Sequence, residues 1–217
     1  MICAAVLTTA SGPIVAQTVR VSAGNVYYRA TASAPEQQLT AEGRDTAATL
    51  SPDGATAVFV RRAPGREIAT GSGASEATEL WLVRVDGTGA RRLVASHAAA
   101  KMEAVLAEFD HPQFSPDGRR IYFLSAAWAT SGAIHVVDVG SGAERFVCAG
   151  NTLEMIPRGR YAGHLIVAQH RYFLSPGTYD WFWLLTPEGR EVGPIADARR
   201  PDADERLSEF RHENIPP

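Results

Sequence analysis

A pattern of five residues that ends in Ser-Pro-Asp-Gly occurs twice in this chain, and each copy precedes a short run of β-forming residues. The copies are 50–54 (LSPDG) and 114–118 (FSPDG), and the runs after them are 55–60 (ATAVFV) and 119–124 (RRIYFL). Proline fixes φ at the first central position of a tight turn, aspartate can bond its own downstream backbone, and glycine accepts a positive φ. Asp53 and Asp117 are therefore interpreted as structural residues rather than catalytic ones.

The similarity continues beyond the turn and defines a longer repeat. A second alternating run, a glycine-containing turn and a final short strand follow each copy, at 80–85 (LWLVRV), 86–89 and 90–94, and again at 134–139 (IHVVDV), 140–142 and 143–147. A unit of strand, turn, strand, connection, strand, turn and strand is a four-stranded antiparallel meander. This is the blade of a β-propeller.

Two weaker units flank the clear ones. A degenerate third blade has its turns and strands at 156–159, 161–169, 181–185, 187–189 and 190–195, and the last two strands of a partial blade fall at 25–30 and 36–40. The sequence therefore predicts an all-β fold of four-stranded antiparallel blades, with about three full blades and a partial one.

The SPDG turns, the strands after them and the downstream segment 80–89 (LWLVRVDGTG) resemble the TolB-type propeller repeat over about residues 36–195, most closely at 110–124 (DHPQFSPDGRRIYFL). The resemblance implies a periplasmic or secreted binding scaffold, although such repeats also occur in prolyl-peptidase-like enzymes and polysaccharide lyases. TolB propellers normally have six blades, more than this chain can supply. Three solutions stay open: the N-terminal strands and the tail close a small ring, a homodimer completes one ring, or the open edge binds another protein.

Composition narrows the class of partner. The 217 residues are 45% hydrophobic and 21% charged with a net charge of −3, which disfavours nucleic-acid binding through phosphate neutralisation. Residues 1–16 (MICAAVLTTASGPIVA) are uncharged and small or apolar, and they predict a signal peptide with cleavage after Ala16, or a truncated one, since a basic leader is missing. The alternative for this segment is a buried first strand. No other apolar run approaches the ~20 residues that span a bilayer, so membrane insertion is not expected.

The predicted organisation is thus a signal peptide at 1–16, propeller blades at 17–196 and a C-terminal tail at 197–217. In the tail, 201–211 (PDADERLSEFR) predicts a helix that starts at Asp202, with Leu207 and Phe210 as its apolar contacts. We expect either a docked or frayed terminus, or an arm that closes the ring or reaches a second chain. The predicted location is periplasmic or secreted.

The clear repeats are unevenly spaced, because Asp53 and Asp117 lie 64 residues apart where a blade usually takes ~40–45. The surplus residues are in the connections 61–78 and 97–110, interpreted as long loops. In a propeller these connections emerge on the same face as 126–132 and 171–180. Long connections on one side of a rigid scaffold favour a binding function there.

A helix is predicted at 98–109 (AAAKMEAVLAEF), since Met102, Val105, Leu106 and Phe109 have helical spacing. This apolar stripe either packs on the propeller or faces a partner. Aromatic residues in the neighbouring connections favour protein recognition, because they contribute large contact area at low entropy cost. The predicted partner-binding residues are Trp128, Tyr172, Phe173, Tyr179, Met102 and Leu106.

Catalytic motifs are sparse. The sequence has no G-x-S-x-G nucleophile motif and no phosphate-binding glycine loop, and no catalytic residue, metal ligand or cofactor is predicted. The six histidines are interpreted as structural or surface residues. The preferred function is non-enzymatic protein binding, by an envelope-complex component or a toxin-neutralising immunity or inhibitor protein. The alternative is a carbohydrate-active or metal-dependent, lyase-like enzyme that uses the propeller channel, which would need several acidic and histidine side chains to converge.

Overall fold

The computed structural model describes residues 17–173 and 177–215, and the signal peptide predicted at 1–16 lies outside them. The described residues form antiparallel β-sheets and one C-terminal α-helix. The strands are β1 (Thr18–Ser22), β2 (Asn25–Arg29), β3 (Gln37–Gln38), β4 (Asp45–Leu50), β5 (Thr56–Thr70), β6 (Gly73–Arg84), β7 (Arg91–Ala95), β8 (Asp110–Phe114), β9 (Arg120–Ser125), β10 (Ala133–Asp138), β11 (Glu144–Ala149), β12 (Glu154–Met155), β13 (Leu165–Phe173), β14 (Gly177–Leu185) and β15 (Glu191–Asp197).

These strands form the predicted blades. The first, second and third blades have the orders β4-β5-β6-β7, β8-β9-β10-β11 and β12-β13-β14-β15, each a meander of four strands. The partial blade is β1-β2-β3, so the sequence identified two of its three described strands and missed β1. The all-β propeller prediction is confirmed.

The repeated turn has the structure its residues predict. Ser51 Oγ donates to Asp53 Oδ1 at 2.6 Å, and this carboxylate also accepts the Ala55 N–H at 3.0 Å. Asp117 is bound in the same way by Ser115 Oγ at 2.6 Å and the Arg119 N–H at 3.1 Å. Both carboxylates are used within their own turns, so their structural interpretation is confirmed.

Blades pack face to face because successive residues of a strand point to opposite faces of its sheet. In β9, Ile121 and Phe123 pack on the first blade, while Tyr122 packs on the third. In β5, Phe59 packs on the partial blade and Val60 on the second. Every internal blade thus has two apolar faces. Each large apolar side chain that is fully buried there stabilises the folded state by about 1.5–3 kcal/mol relative to an exposed one.

The helix predicted at 98–109 is wrong. Only a 3-10 turn forms, Met102–Ala104, and the rest of the segment is irregular, with an isolated bridge between His97 and Leu106. Leu106 exchanges backbone hydrogen bonds with His97, and the Ala107 N–H donates to Ser125 Oγ at 2.9 Å. The non-helical path of the backbone lets Leu106 and Phe109 enter the core between the first and second blades, and this burial outweighs the weak preference of a short isolated helix.

The long loop predicted at 61–78 is also wrong, because β5 and β6 continue through it as one extended hairpin. The strand register shifts between Arg62 and Glu67. Pairing then resumes at Glu67 and continues to the tip, where Thr70 pairs with Gly73. Ile68 and Ala77 of this extension are buried against Val105 and Ala107. The surplus residues therefore form a supported β-ribbon.

The helix predicted in the tail is confirmed. Helix α1 spans Ala203–Asn214 and starts directly after Asp202. Leu207 is buried on the third blade, with Phe210 and Ile215 half-buried beside it. The tail is thus a docked terminus.

Candidate protein-binding face

The long connections meet on one side of the blade stack, as predicted. We call this side the long-connection face, and it comprises 66–76, 97–109, 126–132, 150–153, 170–173 and 177–180. The Gly71 N–H at the tip of the first-blade hairpin donates to the Ala127 carbonyl at 2.6 Å. The Gly132 N–H donates to Asn151 Oδ1 at 3.0 Å. Connections from all three full blades therefore brace one another.

Gly71 allows the closest of these approaches. A Cβ at this position would lie 2.8 Å from the Ala129 nitrogen and 2.9 Å from the Trp128 Cα. Backbone atoms cannot move aside as a flexible side chain can. The tip of the hairpin is consequently fixed against the 126–132 loop.

Trp128 is half-buried in that loop, and its ring packs on an aromatic residue of the second blade. Its ring meets Phe146 edge to face, with centroids 6.2 Å apart, and Phe146 in turn meets the buried His135 at 5.7 Å. His135 stacks on Phe123 at 5.8 Å. A row of rings thus runs from the core to the loop, and it holds Trp128 in one place.

Tyr172 is the most exposed large hydrophobic residue among those described, with 74% of its surface accessible. Its hydroxyl lies 3.4 Å from Thr130 Oγ1 in the second-blade loop, and its ring meets His170 edge to face at 5.3 Å. His170 Nδ1 is 2.9 Å from Asp180 Oδ1 across the hairpin. Tyr172 is therefore exposed and yet oriented by its neighbours.

The other predicted binding residues divide into two groups. Met102 is half-buried against Ile68 and Ala77, and Leu106 is only 2% exposed within the core. Leu106 cannot contact a partner in this structure, and it is removed from the binding set. The side chains of Phe173 and Tyr179 lie outside those that the structure describes.

Several polar residues at this face were missed from the sequence. His170 and Asp180 are ten residues apart but directly paired in the β13–β14 register. Arg171 places its guanidinium 4.4 Å from the centre of the Trp183 ring and pairs with Glu191. Interpreting the segments up to Phe173 and from Gly177 as one hairpin would have paired 170 with 180, since register is fixed within a hairpin.

The inner edge of the blades is the place where the enzymatic alternative would act. Strands β4, β8 and β12 contact one another in turn and line the inside of the curve. On this edge, His111 Nδ1 lies 2.8 Å from Asp110 Oδ2, and both side chains are exposed. Within residues 17–173 and 177–215, no three His, Cys, Asp or Glu side chains cluster so that they could hold a metal ion.

Among the helices that the structure describes, none has both the length and the apolar character that crossing a bilayer requires.

Comparisons with known proteins support the propeller architecture. No protein-family model and no curated protein sequence matches the chain. Among solved structures, TolB from Acinetobacter baumannii is similar with a TM-score of 0.51 and 13% identity, over 79% of this chain and 38% of that one. Dipeptidyl peptidase 4 of Porphyromonas gingivalis gives a TM-score of 0.57 and 11% identity, over 83% of this chain and 31% of that one. An oligogalacturonate lyase in complex with manganese gives a TM-score of 0.50 and 12% identity, over 82% of this chain and 43% of that one.

The fold is that of a TolB-like β-propeller. The chain spans less than half the length of each of these three proteins. At such low identity the similarity concerns the fold alone. Because the three include TolB, a peptidase and a lyase, the fold is compatible with both a binding scaffold and an enzyme.

Proposed function

We propose that this protein is a non-enzymatic, periplasmic or secreted propeller scaffold that binds a protein partner through the long-connection face. The observation that carries the proposal is Tyr172, a large side chain that is 74% exposed on a braced surface. Interfaces are enriched in tyrosine and tryptophan at positions whose free conformation is already restricted. Tyr172 fits this description. The hydroxyl of Tyr172 is bonded to the loop that also contains Trp128.

The chemistry around Tyr172 supports a protein as the ligand. The His170–Asp180 pair and the Thr130 hydroxyl lie beside the aromatic ring and supply hydrogen-bonding groups. An apolar centre with a polar rim is the usual anatomy of a protein–protein interface. The candidate partners are the other members of an envelope complex or a toxin that this chain neutralises. Phe173 and Tyr179 stay predicted contributors on the same hairpin.

The test is a binding comparison of matched variants. The purified chain is used as bait in an envelope extract, a retained protein is identified, and its affinity is then measured directly. We expect Tyr172→Ala to weaken binding about tenfold or more, which corresponds to about 1.4 kcal/mol. Val192→Ala is the matched control, because Val192 is also an exposed apolar residue at 48%, but it follows the short turn at 186–190 on the third blade.

The two variants separate the hypotheses. Equal binding by wild type, Tyr172→Ala and Val192→Ala would contradict recognition through this face. Loss of binding in both variants would indicate a different surface or a general effect on folding. Export is tested separately by the N-terminal sequence of the chain recovered from the periplasm, which we expect to begin at Gln17.

A homodimer that completes one ring stays a second proposal for the assembly. It would require the outer faces at the two ends of the blade stack to meet. Helix α1 lies over one of these faces, so such a dimer requires α1 to move.

A further inference from the structure

Three arginines of this chain are each bound by a carboxylate and held against an aromatic ring. The sets are Arg20 with Glu36 and Tyr27, Arg61 with Asp45 and Trp81, and Arg171 with Glu191 and Trp183. The guanidinium carbon lies 5.1, 4.9 and 4.4 Å from the ring centre, in that order. A cation within about 6 Å of a ring centre is attracted to the ring. Each of these rings therefore contacts a charge that is itself held by a carboxylate.

Histidine takes the place of arginine in a fourth set, which lies on the long-connection face. His170 Nδ1 is 2.9 Å from Asp180 Oδ1, and the ring centres of His170 and Tyr172 are 5.3 Å apart. Arginine keeps its charge throughout the physiological pH range, whereas histidine ordinarily gains a proton as the pH falls through about 6.5. The fourth set therefore differs from the other three in that its cation forms only on acidification.

The elements packed around His170 contribute one facing charge among the described residues. On β14, this charge is the carboxylate of Asp180, which is directly paired with His170 in the strand register. The connections 126–132 and 150–153 from the second blade contain no charged residue. The charge state of His170 is therefore not set by a second ion of these connections.

The charges nearby on the third blade are already paired. On β15, Arg199 binds Asp197 at 2.7 Å. Arg171 follows His170 directly in β13, so its side chain points to the opposite face of the sheet, where it binds Glu191. Carboxylates are ordinarily ionised between about pH 5.5 and about pH 8. Within this range, the charge that changes beside Tyr172 is that of the imidazole.

We propose that protonation of His170 fixes the Tyr172 side chain in its binding position, so that the long-connection face binds its partner more tightly at acidic pH. In the neutral state, His170 donates its Nδ1–H to the Asp180 carboxylate, which can only accept. Protonation at Nε2 places a positive charge beside the tyrosine ring and converts the hydrogen bond to Asp180 into an ion pair. Tyr172 is then held by the same two interactions as the rings of the arginine sets.

The direction of the effect on binding follows from the restriction of the side chain. A group that is already fixed loses less conformational freedom when a partner binds it. A cation–ring contact at an exposed site corresponds to about a two- to fivefold change in an equilibrium constant, so this is the gain in affinity that we expect between about pH 8 and about pH 5.5. The effect on affinity rests on the proposed function, whereas the effect on Tyr172 itself does not.

The first measurement uses the full chain alone, with isotope-labelled tyrosine. NMR relaxation gives the order parameter of the Tyr172 ring at the two pH values, and its signal is the one that is missing from Tyr172→Phe. We expect the ring to be more ordered at the acidic pH. An equal order parameter at both pH values would overturn the proposal.

Two substitutions of His170 separate its charge from its shape. His170→Arg supplies a permanent cation, so Tyr172 should be ordered at both pH values. His170→Gln keeps a donor for Asp180 but does not titrate, so the ring should stay as mobile as in the wild type at about pH 8. His111→Gln is the matched control, because His111 also lies 2.8 Å from an aspartate oxygen but on the inner edge, and it should respond to pH as the wild type does. A pH response that survives in His170→Gln would assign it to another group and contradict the proposal.

The second measurement is the affinity for a partner that the full chain retains, at the same two pH values. The ratio for the wild type is compared with that for His170→Arg, so that titration of the partner itself cancels. If Tyr172→Ala weakens binding but the two ratios are equal, the proposed function stands and the control by pH is refuted. If Tyr172 becomes ordered on acidification while no partner depends on this face, the effect of His170 stands and the proposed function fails.

Discussion

The most buried charge among the described residues is the carboxylate of Asp45, at 0% exposure. Arg61 binds it with two hydrogen bonds, from Nε at 2.6 Å and from a terminal nitrogen at 3.0 Å. The guanidinium also lies 5.2 Å from the Phe59 ring centre and 4.9 Å from that of Trp81. The ion pair thus joins β4 to β5 inside a largely apolar environment, and its bond to Asp45 raises the pKa of Arg61.

Removing one partner should cost far more than the pair itself contributes. We expect Asp45→Ala to lower the free energy of unfolding by about 3–5 kcal/mol, because the charge of Arg61 would be left half-buried without a partner. Urea denaturation measures this change. Glu103→Ala, which breaks the exposed pair with Lys101, is the control and should change the value by less than about 0.5 kcal/mol. Similar losses in both variants would contradict the role assigned to burial.

The turn carboxylates predict how stability depends on pH. Hydrogen bonds from Ser51 and Ser115 lower the pKa values of Asp53 and Asp117 below their ordinary value. A lowered pKa in the folded state stabilises the protein above the unfolded pKa, about 3.9, and this contribution is lost as the pH falls through the folded value. Acidification below about pH 4 should therefore destabilise the fold.

Asp117→Asn isolates one of these contributions, because the amide oxygen can still accept hydrogen bonds but cannot ionise. We expect the variant to be less stable than wild type at pH 7, and we expect this deficit to shrink progressively as the pH falls below about 4 towards 2. The free energies of unfolding at the two pH values give the comparison. A deficit of the same size at both pH values would show that the ionised form has no special role in the turn.

At the scale of elements, the alternating strands and their turns were predictable because both are local properties of the sequence. The 98–109 segment was not, since its apolar spacing fits a helix equally well in isolation. Its irregular path is set by contacts far along the chain, such as the Phe109 N–H to Thr78 Oγ1 bond at 2.7 Å. The hairpin extension was missed for a related reason, because Pro64 and Gly65 resemble a loop although pairing resumes beyond them.

The first-blade hairpin depends on the absence of a side chain at its tip. We expect Gly71→Val to destabilise the protein by about 1–3 kcal/mol, because the new Cβ would overlap the backbone of the 126–132 loop. Limited proteolysis should also cut the hairpin faster. Ser72→Ala at the neighbouring exposed position is the control, and it should behave as wild type. A Gly71→Val chain with wild-type stability and proteolysis would mean that the tip is not held on this loop.

At the scale of the whole molecule, the propeller topology accounts for the part of the candidate site that the sequence predicted. Connections between second and third strands of each blade emerge on one side, and this places Trp128 and Tyr172 on a common face without any local signal that links them. Topology does not determine which side chains stay exposed there. Leu106 illustrates this, since its burial between two blades depends on the irregular, non-helical path of 97–109.

Cys148 lies in the core between the second and third blades and can report on opening of that junction. Burial raises the pKa of its thiol to about 12, and only the thiolate reacts with disulfide reagents. With Cys3 replaced by serine, Cys148 is the only cysteine left in the chain. We expect the native protein at pH 8 to react with Ellman's reagent at least about 1,000-fold more slowly than the protein unfolded in guanidinium chloride.

The dependence of that reaction on urea distinguishes local from global opening. Because Cys148 packs with Tyr122 of the second blade and Leu165 of the third, the thiol becomes accessible only when these blades separate. If the blades form one cooperative unit, the free energy of opening from thiol reactivity should equal the free energy of unfolding from circular dichroism. A much smaller value for the thiol would show that the third blade separates from the second while the other blades stay folded.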